Sequence, residues 1–265
     1  DSLNVNGNLS GTYVQHGIAT LSGGEGNDNL YSYYESSVLL QGDEGADTLS
    51  ANTCRSVTLE GGNGNDSLSS HVDSWINSNI GENGAITSSF LYGGNGEDKL
   101  DVNGYGYYGY GVTTLLLDGG EGNDILTVAG YNYYPFAHAT LNGGSGDDTL
   151  TASNVLDLTY TGGEGCDTFV LTTAQYQTLG KTIRFPTDNN QQLSITSQAI
   201  LISDFAPGEG GDKLNISDLI KNAAVGYEGD NPFGSGFLKL QQSGNDVLLQ
   251  FDVDGTAVDT NAPTT

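Results

Sequence analysis

The stretch Gly61-Gly62-Asn63-Gly64-Asn65-Asp66-Ser67-Leu68-Ser69 recurs along this 265-residue chain with small changes. Copies begin at Gly23, Gly42, Gly61, Gly93, Gly119, Gly143 and Gly162. One copy would carry little information, because Gly and Asp populate any loop. Seven in register define a repeat architecture. The steps between starts are 19, 19, 32, 26, 24 and 19 residues. A fixed minimum with occasional additions marks a solenoid, with the extra residues bulging from one turn of the coil.

The phrase divides each coil into two strands. Two residues ahead of the first Gly stand Leu21, Leu40, Leu59, Leu91, Leu117, Leu141 and Tyr160. Two further back come Ala19, Val38, Val57, Ser89, Leu115, Ala139 and Leu158. A period of two marks a strand with one buried face. After the loop, Leu30, Leu49, Leu68, Leu100, Leu126, Leu150 and Phe169 fill the eighth position, with small or apolar residues two places on. These columns predict a thin stacked core. Thr, Ser, Asn and acids fill most outward columns, which Phe90, Tyr92 and Leu116 interrupt; an insertion folded over them, or a partner, would account for that.

Forty glycines and five prolines fit many tight turns, without collagen's three-residue period. Thirty-three acids against seven bases give a formal charge of −26, which opposes compaction. Such acidity argues for disorder unless cations neutralise it. It also excludes nucleic acid as a partner, since phosphate contacts need a basic patch. No apolar stretch approaches the roughly 20 residues of a membrane span, so no membrane insertion is expected. Asp1-Ser2-Leu3-Asn4 reads as the tail of an earlier repeat, so the chain is expected to be part of something longer. Cys54 and Cys166 lie several repeats apart and should be free thiols.

The loop chemistry points to a hard cation. Calcium takes six to eight oxygen ligands at about 2.3–2.6 Å, carboxylate and backbone carbonyl alike. The sixth position supplies the charge: Asp28, Asp47, Asp66, Asp98, Asp124, Asp148, Asp167 and, in a divergent eighth loop at 207–214, Asp212. The glycines allow positive φ and aim carbonyls inward. First-position carbonyls come from Gly23, Gly42, Gly61, Gly93, Gly119, Gly143 and Gly162. The third position offers Glu25, Glu44, Asn63, Asn95, Glu121, Ser145 and Glu164. The fifth offers Asn27, Ala46, Asn65, Glu97, Asn123, Asp147 and Cys166. At both of these positions the side chains should face solvent. Asp43 replaces the second Gly of loop two and makes that site the weakest. Coils stacked at about 4.8 Å leave seven gaps between eight loops, hence about seven Ca²⁺ ions. They would bring the charge from −26 to about −12.

The far turn carries the irregularity. Coil three inserts Ser70 to Ser88, where Trp75 is expected on a short helical flap. The next two insertions hold Tyr105, Tyr107, Tyr108 and Tyr131, Tyr133, Tyr134. Tyrosines on glycine-flexed loops combine large area with a polar tip, and suit either a glycan or peptide ligand or simple cover for the solenoid edge. After Leu171 the phrase fades. Ser217-Asp218-Leu219-Ile220 predicts a short helix, and Phe237 to Phe251 a hairpin turning at Ser243-Gly244-Asn245-Asp246.

The phrases at residues 23 to 170 resemble the RTX (repeat-in-toxin) calcium-binding repeats of secreted Gram-negative proteins. The resemblance implies an all-β fold, a right-handed parallel β-solenoid (β-roll) with Ca²⁺ between successive coils. The usual roll steps by nine residues with loops on both sides. A step of 19 implies stacked calcium loops on one edge only, a variant similar to the C-terminal repeats of giant adhesins. Ile200-Leu201-Ile202-Ser203-Asp204-Phe205 through Asp218-Leu219 resembles the C-terminal target region of type I secretion substrates. The expected division is therefore a solenoid at 1–171 and a C-terminal β-rich cap and secretion region at 172–265.

The function expected is a monomeric, calcium-dependent folding and stiffening module at the end of a secreted cell-surface adhesin, with the type I secretion machinery as partner. A glycan-binding or peptide-binding solenoid is the alternative, as is the C-terminal part of a secreted exoenzyme. Ice binding is disfavoured, because Leu39, Glu60, Phe90, Leu116 and Asp118 interrupt any regular Thr array. No His-Glu-x-x-His or Gly-x-Ser-x-Gly motif occurs, and His16, His71 and His138 stand alone on variable turns, so no enzyme activity is expected.

Overall fold

The computed structural model describes residues 2–6, 17–33, 35, 37–73, 87–105, 113–131, 135–175, 182–186, 200–244, 246–252 and 255. Strands leading into the loops are β2 (Ile18–Glu25), β4 (Ser37–Glu44), β6 (Ser56–Asn63), β8 (Thr87–Asn95), β10 (Thr113–Glu121), β12 (Phe136–Ser145) and β14 (Val155–Glu164). Strands leaving them are β3 (Asn29–Tyr33), β5 (Thr48–Asn52), β7 (Ser67–Asp73), β9 (Lys99–Tyr105), β11 (Ile125–Gly130), β13 (Thr149–Ser153) and β15 (Thr168–Leu171). Each set forms its own parallel sheet, as the two-strand coil requires. Ahead of them, β1 (Ser2–Asn6) pairs parallel with β3, Leu3 opposite Leu30.

Register follows the columns read from the sequence. In the outgoing sheet Leu30, Leu49, Leu68, Leu100, Leu126, Leu150 and Phe169 stand opposite one another. In the incoming sheet Leu21, Leu40, Leu59, Leu91, Leu117, Leu141 and Tyr160 do the same. All these side chains are buried except Leu21, which is partly so. Each fully buried Leu contributes about 1.5–3 kcal/mol of transfer free energy. The core is thus two sheets facing each other with one double row of side chains between. Ser89, the polar exception in its column, meets Ser70 across the core, hydroxyl to hydroxyl at 2.9 Å.

Both sheets run on past Leu171. The outgoing sheet gains β18 (Lys213–Asn215), with Leu214 opposite Phe169. The incoming sheet gains β17 (Ile200–Ile202), parallel to β14, then β16 (Thr182–Pro186). The antiparallel hairpin of β19 (Leu238–Ser243) and β20 (Asp246–Phe251) closes its edge. This is the hairpin expected from the sequence, with Gly244 at φ 63° in its turn. Helix α1 (Ser217–Ala223) also lies where expected and buries Leu219. Tyr160, Phe169 and Phe205 pack in series, ring centroids 5.8 and 6.0 Å apart, and thicken the core at this end.

Candidate metal centre

Every loop sits on the same edge of the solenoid, because the two strands that flank it are locked in register above and below. The sixth-position aspartates therefore form a single file. Their backbone amides bind them together: Asp28 N donates to Asp47 Oδ1, Asp47 to Asp66, Asp66 to Asp98, Asp98 to Asp124 and Asp124 to Asp148, each at 2.7 Å. Asp148 N continues to Asp167 Oδ1 at 2.9 Å, and Asp167 N to Asp212 Oδ1 at 3.0 Å. One oxygen of each acceptor is thereby fixed. The other oxygens, Oδ2 of Asp47, Asp66, Asp98, Asp124, Asp148 and Asp167, are buried and accept no hydrogen bond among the described residues. A buried acceptor left unmet is costly, more so when charged.

Each of these oxygens looks toward the first glycine of its own loop. A Cβ on Gly93 would overlap Asp98 Oδ2 and stand 2.5 Å from the Gly119 carbonyl of the next coil. Gly42, Gly61, Gly119 and Gly143 repeat the arrangement with the carbonyls of Gly61, Gly93, Gly143 and Gly162, each 2.5 Å away. Here the sequence reading needs correction. First-position glycines are not at positive φ; they are glycine because a methyl would fill the space between carboxylate and carbonyl. Second and fourth positions do adopt positive φ, and the glycines there, apart from Gly24 and Gly26 of the first loop, also lie against the carbonyl of their counterpart in the preceding loop, as Gly64 does against Gly45 O. Asp43 takes φ 74° in that series, and its carboxylate accepts from the Ser22 hydroxyl at 2.5 Å.

The remaining candidate carbonyls divide into two groups. Third-position carbonyls of Glu44, Asn63, Asn95, Glu121, Ser145 and Glu164 already accept the fourth-position amide of the preceding loop, at 2.7–2.8 Å. Among the described residues no backbone amide reaches the fifth-position carbonyls. The fifth-position side chains do more than face solvent. Asn27, Asn65, Asn123 and Asp147 accept the amides of Ala46, Glu97, Asp147 and Cys166 through their Oδ1 atoms, clamping loop to loop.

Asp212 departs from the pattern. Its Oδ2 accepts the Ala206 amide at 2.7 Å, so both of its oxygens are engaged. Gly208 and Gly210 have positive φ but stack on nothing, unlike the glycines at the same positions of loops three to seven. The eighth loop therefore closes on itself, and its Asp serves the Asp167 amide in place of an open ligand. The Cys166 thiol donates to Gly211 O at 2.8 Å, and neither Cys54 nor Cys166 forms a disulfide, as expected. Of the tyrosines assigned a binding role, Tyr131 is half-exposed; Tyr107, Tyr108, Tyr133, Tyr134 and the side chain of Tyr105 lie outside the described residues, as do Trp75 and His16. His71 meets Asn103 at 2.6 Å and His138 meets Asp157 at 2.8 Å, both away from the loops.

Burial, reinforced by the neighbouring carboxylates, pushes Asp66, Asp98 and Asp124 up to about 6 and Asp148 to about 7, against a partial lowering by the amide bonds. Asp167 moves the same way, with Asp212 and Asp204 adding to the effect of burial. Folded values above the unfolded value of 3.8 mean that the metal-free fold binds extra protons between about pH 4 and 7. Its stability is greatest at the acid end of that window and falls as pH rises through it. The chelated chain should thus keep more β-structure by circular dichroism at pH 5 than at pH 8; the opposite order would contradict this.

Among the described residues no three His, Cys, Asp or Glu side chains converge on one point, so a bound ion must draw mainly on backbone oxygen. The orphaned carboxylate oxygen, the facing carbonyl and the space a methyl would fill all suit a hard cation such as calcium. Residues 17–33, 57–71, 116–130 and 139–154 match the family model of the RTX calcium-binding nonapeptide repeat, in four copies. Neither the comparison with curated proteins nor that with solved structures produced a match.

Proposed function

From the premise that this chain is a β-solenoid of RTX calcium-binding repeats, we propose that it is a calcium-driven folding and stiffening module of a secreted surface adhesin, exported by a type I machinery. The observation that carries the reading is the file of buried, unanswered Asp Oδ2 atoms. Each would be a ligand, together with the first-position carbonyl of the next coil and the free fifth-position carbonyls. About seven ions would be held, one per gap between loops. Bound calcium supplies positive charge where the apo fold concentrates carboxylates.

RTX repeats occur in secreted proteins of Gram-negative bacteria, which suggests an extracellular location. There, millimolar calcium suffices for sites of the extracellular class, and ion binding becomes folding free energy. Inside the cell the same chain would stay unfolded and able to thread a channel. The segment 200–220 carries the secretion address in this reading, and the module has no active site of its own.

Equilibrium dialysis checks the ion count. Wild type should retain close to seven calcium ions, and Asp124→Asn one fewer. Asn keeps the oxygen that accepts the Asp98 amide but places an NH₂ where the ligand oxygen stood. In chelator the sign reverses: removing a desolvated charge should leave Asp124→Asn no less stable than wild type. A chain that retains fewer than two ions would overturn the proposal.

A further inference from the structure

We propose that the last position in the file, at Asp167, is a cation site of a different kind, closed by the carboxylate of Asp204, and that it takes up calcium ahead of the others. The inference rests on the calcium reading above and concerns which position fills first.

The geometry differs from that of every other loop. At Gly42, Gly61, Gly93, Gly119 and Gly143 the space beside the glycine is bounded by its own Asp Oδ2 and by the carbonyl of the next coil's glycine. At Gly162 the three nearest atoms all belong to Asp167, and no carbonyl of a following coil comes closer than their 3.0 Å. The incoming sheet shows what replaces it. Tyr160 stands opposite Ile202, and the Thr161 and Ser203 hydroxyls meet at 2.8 Å. The next pair in register is Gly162 with Asp204. Asp204 Oδ1 accepts the Gly162 amide at 3.0 Å and Oδ2 the Gly163 amide at 2.8 Å. A carboxylate thus occupies the place of the eighth glycine.

The chain then takes a detour. From Gly162 to Asp167 is five steps, whereas from Asp204 to Asp212 is eight, so the closing loop is three residues longer. Two reciprocal bonds hold the detour, Ala206 N to Asp212 Oδ2 at 2.7 Å and Asp212 N to Ala206 O at 2.8 Å. Asp212 is thereby placed to accept the Asp167 amide. Asp167 itself is fully buried with Oδ2 unmet, the same orphan as in the earlier loops. An ion beside that oxygen therefore faces a second carboxylate where the others face a peptide carbonyl. Asp204 uses two of about four lone-pair positions on its amides and keeps the rest.

Calcium affinity rises with the charge of the ligand set and the rigidity of the site. Asp204 supplies the charge, and its two amide bonds supply the rigidity. The third carboxylate, Asp212, is spent on amides and does not converge with the other two, so the site is a facing pair and no cage.

Calorimetric titration of calcium into the metal-free 265-residue chain tests this. One ion should bind at least tenfold tighter than the average of the rest. Asp204→Asn should remove that class, weakening it tenfold or more, while Asp204→Glu, which keeps the charge, retains it. Asp124→Asn should lose one ordinary ion and leave the tight class intact. Uniform affinity in wild type, or a tight class that survives Asp204→Asn, would overturn the inference. If Asp204→Asn does not fold even in saturating calcium, the wild-type isotherm still decides through the presence or absence of the tight class. A wild type that takes up no calcium would remove the calcium reading itself, which sets the two failures apart.

Discussion

In chelator at pH 8 the chain is expected to lose most of its β-structure and to regain it cooperatively as calcium is returned. The cause is a conflict within the core edge. Two sheets separated by one double row of side chains bury few apolar layers, yet the same fold withdraws a file of carboxylates from water and places each beside the next. Each unmet buried acceptor costs about 1–3 kcal/mol, and more when charged. The formal charge of −26 acts in the same direction. Stability of a solenoid is roughly a sum over neighbouring coils, so a penalty repeated at every coil accumulates without relief elsewhere. Far-ultraviolet circular dichroism reads the secondary structure. Small-angle scattering reads the dimensions: an unfolded chain of 265 residues has a radius of gyration of about 57 Å, whereas nine stacked strands span only about 38 Å end to end. Identical spectra and scattering with and without chelator would sink the calcium-driven account.

The second large effect is expected from Gly122→Ala. Gly122 lies at φ 127°, and a Cβ there would overlap the Gly96 carbonyl of the preceding coil, with the Gly96 carbon 2.5 Å away. Backbone on backbone cannot yield without opening the stack. Gly26 provides the comparison, with φ 106° but nothing within 4 Å of the same point. Strain alone, common to both, costs on the order of 1–3 kcal/mol. Gly26→Ala should lose about that much. Gly122→Ala should lose clearly more, together with the ions on either side of the separated loops. Urea unfolding in saturating calcium measures both. Equal losses would mean that conformation, and not stacking, dictates these glycines.

Much of this was legible in the sequence because the repeat states its own register. Leucine at the eighth position and the alternating pair before the loop placed both sheets and the core rows. The file of aspartates followed from the same count. Less legible were features that depend on what lies in the next coil. Nothing in the spelling of Gly-Gly-x-Gly distinguishes a glycine required by φ from one required by space, yet Gly93 is glycine for space alone and Gly94 for φ as well. The clamping role of Asn27, Asn65 and Asn123 was likewise hidden, although the recurrence of Asn at the fifth position was a visible hint. The eighth loop misled for another reason. Counting back from Asp212 sets Pro207 at its start, whereas sheet register sets Asp204 there. Ile200-Leu201-Ile202 repeats the alternation of Leu158-Thr159-Tyr160, and following that pattern forward would have found it.

The uneven steps of 32, 26 and 24 residues leave register intact: Leu68, Leu100, Leu126 and Leu150 remain opposite one another across them. Thirteen, seven or five residues beyond the minimum of 19 have been spliced into the far turn without shifting a single loop aspartate out of file. The closure cost of such additions grows only with the logarithm of their length, about 0.6 kcal/mol per doubling. Mineral edge and variable edge are thus decoupled. In engineering language the molecule is a rack: one side carries the fasteners, and the other offers evenly spaced slots into which new sequence can be inserted without redrawing the frame.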